Sequence, residues 1–470
     1  MPDRRPAMRA LSSAGRRDGR HVVALVLLAL ALVWPPSSAS AQGLRFIRDA
    51  EIEDLLNLYA QPIFQAAGLG RQRIRIRIVN DRTFNAFVLD GRNVFINTGA
   101  LIQAETPNQI IGVIAHETGH IAGGHMAGLR EKVAKDSTRA LLMQILGIGA
   151  MIAGATSGDQ DTKDALGGAG QGVFLGSSDV ITRSILAYRR VQEFSADQAG
   201  VAYLDATHQS AEGMLKTFET FAEQEMFSDP RFKDPYVRSH PMARDRIDHL
   251  RELAHKSPYF DKKDDPMLQL RHDLMRAKLS GYLERPAIVF NRYPSSDQSL
   301  PARYARAIAT FFSKGINEAM PLIDELIRAE PNYAYFHELK GDFLMRKGDA
   351  KAAIAPLKKA MALADTGLIR IELATAIIRA GDKTQIKAAI ELLRRSLAEE
   401  EDAQGYRMLA NAYYSQGEEG QAYLATAYAS LLEGKLKDAK AFAKRAQPFF
   451  KSGSPQWLRA DDILTLEAPS

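Results

Sequence analysis

Residues 112–126 read GVIAHETGHIAGGHM and carry three of the chain's ten histidines. His116 and His120 stand at i and i+4, one helical turn apart on one face, so both imidazoles can reach a single metal ion. Glu117 lies beside them, where its carboxylate can take a proton from water at that metal. The pattern is H-E-x-x-H, and the chemistry it suggests is zinc-assisted hydrolysis of a peptide bond. A catalytic zinc needs a third protein ligand. His125 is the nearby candidate, but on a continuous helix it falls on roughly the face opposite His116. The longer pattern H-E-x-x-H-x-x-G-x-x-H finds its glycine at Gly123 and then meets Met126 where it demands histidine. A better candidate lies in AYRRVQEFSADQAG, where Glu193 and Asp197 are again i and i+4 on a predicted helix. Glu193 would complete a His/His/Glu set, and Asp197 would accept a hydrogen bond from a ligating imidazole.

These residues need elements to hold them. Apolar spacing over Ile47, Ile52, Leu55, Leu56, Tyr59 and Ile63 predicts a helix across 44–68. Alternation in RIRIRIV predicts a strand at 73–79, and two more follow at 86–89 and 93–97 with LDGRN as their turn. Thr106 as N-cap and Pro107 in the first turn start the H-E-x-x-H helix. Gly119, Gly123 and Gly124 lower its helix propensity but let neighbouring helices or a substrate approach closely. Glycine-rich apolar pieces at 139–176 flank a polar turn and are too short to span a bilayer. They suit a mobile lid, a contact with a membrane surface, or a helical hairpin packed on the core. Helices are expected at 181–204, 211–225 and 246–255, and 257–300 reads as a connector with some helix.

From about residue 301 the chain repeats itself. Gly341, Leu344, Gly348, Ala353 and Leu357 are echoed by Ala374, Ile377, Gly381, Ala389 and Leu393, then by Leu409, Ala410, Tyr413, Gly417 and Ala422. The period is close to the roughly 34 residues of the tetratricopeptide repeat, whose paired helices stack into a solenoid with a concave face for polypeptides.

The whole chain has 470 residues, 46% apolar and 25% charged, with no cysteine, so a disulfide framework is excluded. Its net charge of +5 resides mostly at the N-terminus, where six arginines face two aspartates, so nothing argues for nucleic-acid binding. That segment continues with the apolar run VVALVLLALALVW and then SSASAQ, which predicts a signal peptide cleaved after Ala41. The expected order is a signal peptide at 1–41, a zinc peptidase domain at 42–256, a connector at 257–300, repeats at 301–450 and a tail at 451–470. The fold class is α+β and mostly helical, a small sheet and H-E-x-x-H helix followed by an α-solenoid.

His116-Glu117-Thr118-Gly119-His120 followed by Glu193 and Asp197 resembles the gluzincin pattern of the M48 metallopeptidases. The resemblance implies one zinc per chain, with Glu193 as third ligand and Asp197 supporting a ligand histidine. It extends to Ser239-His240-Pro241 and Arg246, which it places near the scissile bond, contacting substrate backbone or the oxyanion. In some periplasmic members that histidine instead reaches the zinc as a fourth ligand and holds the site latent, and His240 could do either. Together with the export signal and repeats, the likeness to periplasmic members implies an endopeptidase acting on misfolded or stalled outer-membrane proteins. Its repeats would engage the outer-membrane assembly machinery. The alternative it leaves open is a largely latent protease serving as a chaperone or binding scaffold.

Overall fold

A computed structural model describes residues 45–156, 160–227 and 235–467. The predicted signal peptide lies outside the described residues.

Four short strands form one sheet in the order β1-β2-β4-β3: β1 (Phe46–Ile47), β2 (Arg75–Val79), β3 (Ala86–Val88) and β4 (Asn93–Asn97). β2 and β4 run parallel, and the two outer pairs are antiparallel. The helix predicted over 44–68 starts later, as α1 (Ala50–Ala66), because the Asp49 side chain accepts from the Ile52 amide and caps it. Ile52, Leu55, Leu56, Tyr59 and Ile63 are buried along one face of α1. A short helix not anticipated from sequence, α2 (Thr98–Gln103), leads to α3 (Pro107–Ala122), which carries H-E-x-x-H. Gln109 Oε1 accepts from the amides of Glu105 and Thr106 and closes the start of α3. Every residue of α3 from Pro107 to His120 is buried.

α4 (His125–Thr156) and α5 (Gln160–Ala206) run against each other in opposite directions. Lys132 Nζ lies 2.7 Å from Ser184 Oγ, and Gln192 Nε2 donates to the His125 carbonyl at 2.9 Å. The described parts of 139–176 are therefore stretches of two long helices, and residues 157–159 fall outside the described residues. No helix among the described residues is long and apolar enough to cross a membrane. α6 (Glu212–Phe227), α7 (Pro235–Ser239) and α8 (Arg244–Lys256) complete the surroundings of α3.

The segment expected as a connector is largely helical: α9 (Pro266–Leu283) and α10 (Pro286–Arg292). α9 carries apolar residues on two faces. Met275 and Leu279 join the core around α1 and α3, whereas Leu274 and Ala277 join a second core with Tyr304 and Ile308. Between the faces lies buried Lys278, its Nζ 2.8 Å from Asp49, 3.3 Å from Glu51 and 3.1 Å from Glu338. Tyr304 and Tyr333 donate to Glu51 from the repeat side. One ammonium cannot neutralise three carboxylates, and burial holds Glu338 up at about 8 against the pull of Lys278.

An α-solenoid follows: α11 (Leu300–Lys314), α12 (Ile316–Ala329), α13 (Ala334–Lys347), α14 (Ala350–Leu363), α15 (Gly367–Ala380), α16 (Ile386–Glu399), α17 (Ala403–Ser415), α18 (Glu419–Leu432), α19 (Leu436–Ala446) and α20 (Pro455–Thr465). Gly348 turns α13 into α14 in the left-handed region at φ +90°, the conformation that favours glycine there. A second tie to the sheet comes from the turn after α16, where Glu400 meets Arg77 at 2.6 Å and Arg48 at 2.9 Å.

Candidate metal centre

The i, i+4 spacing does what helical geometry requires. His116 and His120 Nε2 lie 3.1 Å apart, both rings buried and turned toward α5. From α5, Glu193 brings Oε2 to 3.4 Å of His116 Nε2 and Oε1 to 3.5 Å of His120 Nε2. The two helices meet this closely because the crossing is thin. A methyl group at Gly119 would stand 2.8 Å from the Ala196 carbonyl oxygen, and one at Gly200 would stand 3.2 Å from the His116 amide.

A fourth donor completes the group. His240, just after α7, places Nδ1 3.2 Å from His116 Nε2 and 3.0 Å from Glu193 Oε2. Ligand atoms of His116, His120, Glu193 and His240 all lie within 4.8 Å of one another. Bonds to zinc of about 2.0–2.1 Å in a tetrahedron imply ligand-to-ligand spacings of about 3.3 Å. The spacings here, 3.0 to 3.5 Å, match that figure. The donor set is nitrogen and carboxylate oxygen, which suits zinc.

Charge points the same way. Burial alone would lower the His116 pKa, but Asp197 and Glu193 raise it to about 9, so the site stabilises positive charge on or beside this ring. Burial and the neighbouring His116 push His120 well down, which keeps it neutral and able to ligate. Burial would raise Glu193, yet His240 and Arg246 hold it well below the usual carboxylate range.

Asp197 sits behind the ligands. Its Oδ1 is 2.9 Å from His116 Nδ1, close but out of line for a hydrogen bond. Glu117 is fully buried, and neither carboxylate oxygen has a hydrogen-bond partner among the described residues. Burial raises its pKa, a tendency opposed by His240 and His116. His240 Nε2 approaches Glu117 Oε1 at 3.4 Å.

Arg246, which the resemblance implies lies near the scissile bond, is buried behind the ligand carboxylates. It donates from Nε to Asp197 Oδ2 at 2.6 Å and from Nη2 to Asp197 Oδ1 at 2.8 Å. Nη1 lies 2.9 Å from Glu193 and donates to the Pro241 carbonyl at 3.1 Å, and the guanidinium carbon stands 5.1 Å from the Phe218 ring centre. The fork therefore ties α5 to the turn that carries His240. Arg189 reinforces the same turn by donating to the Ser239 carbonyl.

His125 is placed differently from the sequence expectation. α3 stops at Ala122, Gly124 takes φ +62°, and His125 begins a new helix. The break brings its ring back to His120, Nδ1 to Nδ1 at 3.0 Å, instead of leaving it on the far face. It is outside the group of four whose ligand atoms converge. The Gly-Gly pair was the signal that the helix would not continue.

The segment that carries this cluster of buried histidines and carboxylates, residues 47–254, matches the model of Peptidase family M48. Over 421 residues the chain is 24% identical to the beta-barrel assembly-enhancing protease of Yersinia pestis, covering 88% of this chain and 83% of that one. The protein of the same name from Escherichia coli (strain K12) is 22% identical over 419 residues, 88% of this chain and 82% of the relative.

Proposed function

We propose that this chain is an exported, periplasmic zinc endopeptidase acting on misfolded or stalled outer-membrane proteins, and that His240 holds it latent at rest. His116, His120 and Glu193 hold one zinc ion. Latency rests on a single observation, the convergence of His240 on the three ligands, where it would take up the position a catalytic zinc keeps open. Bound there, zinc supplies Lewis acidity toward a peptide carbonyl and toward water.

The chain's own residues do the rest. Glu117 takes a proton from the attacking water and passes it to the leaving amine, and burial raises its pKa, which makes it a stronger base. Asp197 and Arg246 hold His116 and Glu193 in place. His240 stands against both the ligands and Glu117, so swinging it out frees the base and the open position together. β3 ends the sheet beside α3 and offers an edge along which an extended substrate can pair.

The outer-membrane part of the reading is supported by the relatives' name. α13, α15 and α17 start at Ala334, Gly367 and Ala403, which supports tetratricopeptide repeats. Their cavity of about 1070 Å³, lined by Tyr406, Tyr413, Tyr428, Arg394 and Arg459 among others, is where we place polypeptide partners of the assembly machinery. His240 at the fourth position equally favours a second reading, a chaperone or scaffold whose hydrolysis is seldom used.

The test is cleavage of an unfolded outer-membrane β-barrel protein by wild type, Glu117→Gln and His240→Ala. Glu117→Gln should be inactive and His240→Ala faster than wild type. Equal cleavage by Glu117→Gln would remove the peptidase reading, and an inactive His240→Ala would remove the plug. If Glu117→Gln supports barrel assembly as well as wild type does, the scaffold reading takes over.

A further inference from the structure

We infer that His125 is the positioning residue for His120: it accepts the Nδ1 proton of that ring and so fixes the tautomer in which His120 Nε2 faces the metal. The inference rests on the metal-site reading above.

The two H-E-x-x-H histidines have different supports. His116 has Asp197 behind its Nδ1, at 2.9 Å. At His120 the partner of Nδ1 among the described residues is a second imidazole, His125 Nδ1 at 3.0 Å. An imidazole that ligates through Nε2 carries its proton on Nδ1 and needs an acceptor for it. The nitrogen of His125 that meets it is Nδ1, so that atom must present its lone pair. His125 is then neutral with its proton on Nε2.

The local chain is built around this contact. Gly124 at φ +62° reverses the backbone so that a residue five places after His120 faces the same ring. A methyl group at Gly123 would stand 2.3 Å from His125 Nε2, so the ring can take this position only over a glycine. From α5, Gln192 Nε2 donates to the His125 carbonyl at 2.9 Å and pins the start of α4. Gly123 and Gly124 disfavour a helix running straight through 123–125, and the break they allow turns a buried imidazole onto a ligand. The metal site thus has one histidine supported by an anion and one by a neutral ring.

The experiment measures zinc affinity by chelator competition, with the thermal midpoint of the metal-free protein recorded beside it. His125→Phe keeps the bulk and removes the acceptor; Gly123→Ala keeps the histidine and displaces its ring. Both should lower zinc affinity about 10–100-fold, the usual scale for losing such a partner. His125→Asn, whose side-chain oxygen can accept from His120, should recover most of the loss. Full affinity in His125→Phe, or equal losses in the Phe and Asn variants, overturns the inference. Nitrogen-15 histidine spectra of the zinc-loaded wild type need no variant to fold: they should show His120 protonated on Nδ1 and His125 on Nε2. A His125 protonated on Nδ1 overturns it. A wild type that binds no zinc overturns the site reading itself, a result distinct from either.

Discussion

Replacing Gly119 with alanine tests how finely two helices must be spaced to assemble this site. The new methyl group would lie 2.8 Å from the Ala196 carbonyl oxygen and 3.0 Å from its Cα, where ordinary contact begins at 3.4 Å. Both obstacles are backbone, so no side chain can rotate out of the way. α3 and α5 must part by roughly 0.6 Å, the difference between 2.8 and 3.4 Å. That movement separates His116 and His120 from Glu193, and a site of this kind tolerates only about 0.5 Å. Overpacking costs about 1–3 kcal/mol, offset by about 1 kcal/mol of helix propensity gained. The net loss of stability is therefore modest, about 0–2 kcal/mol, while zinc affinity should fall about tenfold or more. Gly112→Ala is the control: its methyl group would meet Met214 of α6, 2.5 Å from Cβ and 2.8 Å from Cα, and α6 carries no ligand. Urea unfolding and chelator competition on both variants separate the two effects. Wild-type zinc affinity in Gly119→Ala, or the same loss in Gly112→Ala, would refute the reasoning.

Arg246→Met leaves Asp197 and Glu193 buried without their guanidinium and should cost about 3–5 kcal/mol in urea unfolding; a loss under about 1 kcal/mol would mean that the fork is not what anchors them. Glu338 holds its proton up to about 8 in the folded chain but only to its ordinary value when unfolded. Between those values the folded state binds more protons, so stability falls as pH rises from the mid-fours through about 8. Glu338→Gln should flatten that decline, read as the change in thermal midpoint across the window, and an unchanged slope would show that Glu338 does not set it.

Short-range pattern sufficed for the parts of the site that lie within one helix. The i, i+4 pairs His116/His120 and Glu193/Asp197 were legible because a single helical turn determines which residues share a face. Thr106 with Pro107 marked where α3 starts, and the recurring small residues of the repeats marked the solenoid. Those features are local, and backbone geometry alone decides them. What tertiary structure decided was every relation between segments. His240 converges on the ligands because α7 and the Arg246 fork hold its turn against α5. Arg246 itself lies behind the carboxylates, where α8 brings its guanidinium to Asp197 and Glu193. The segment read as a connector with some helix holds Lys278 between two cores and three carboxylates, an enclosure that only distant segments supply. His125 depended on one backbone reversal at Gly124, which turned a residue excluded by helical geometry onto the ring of His120.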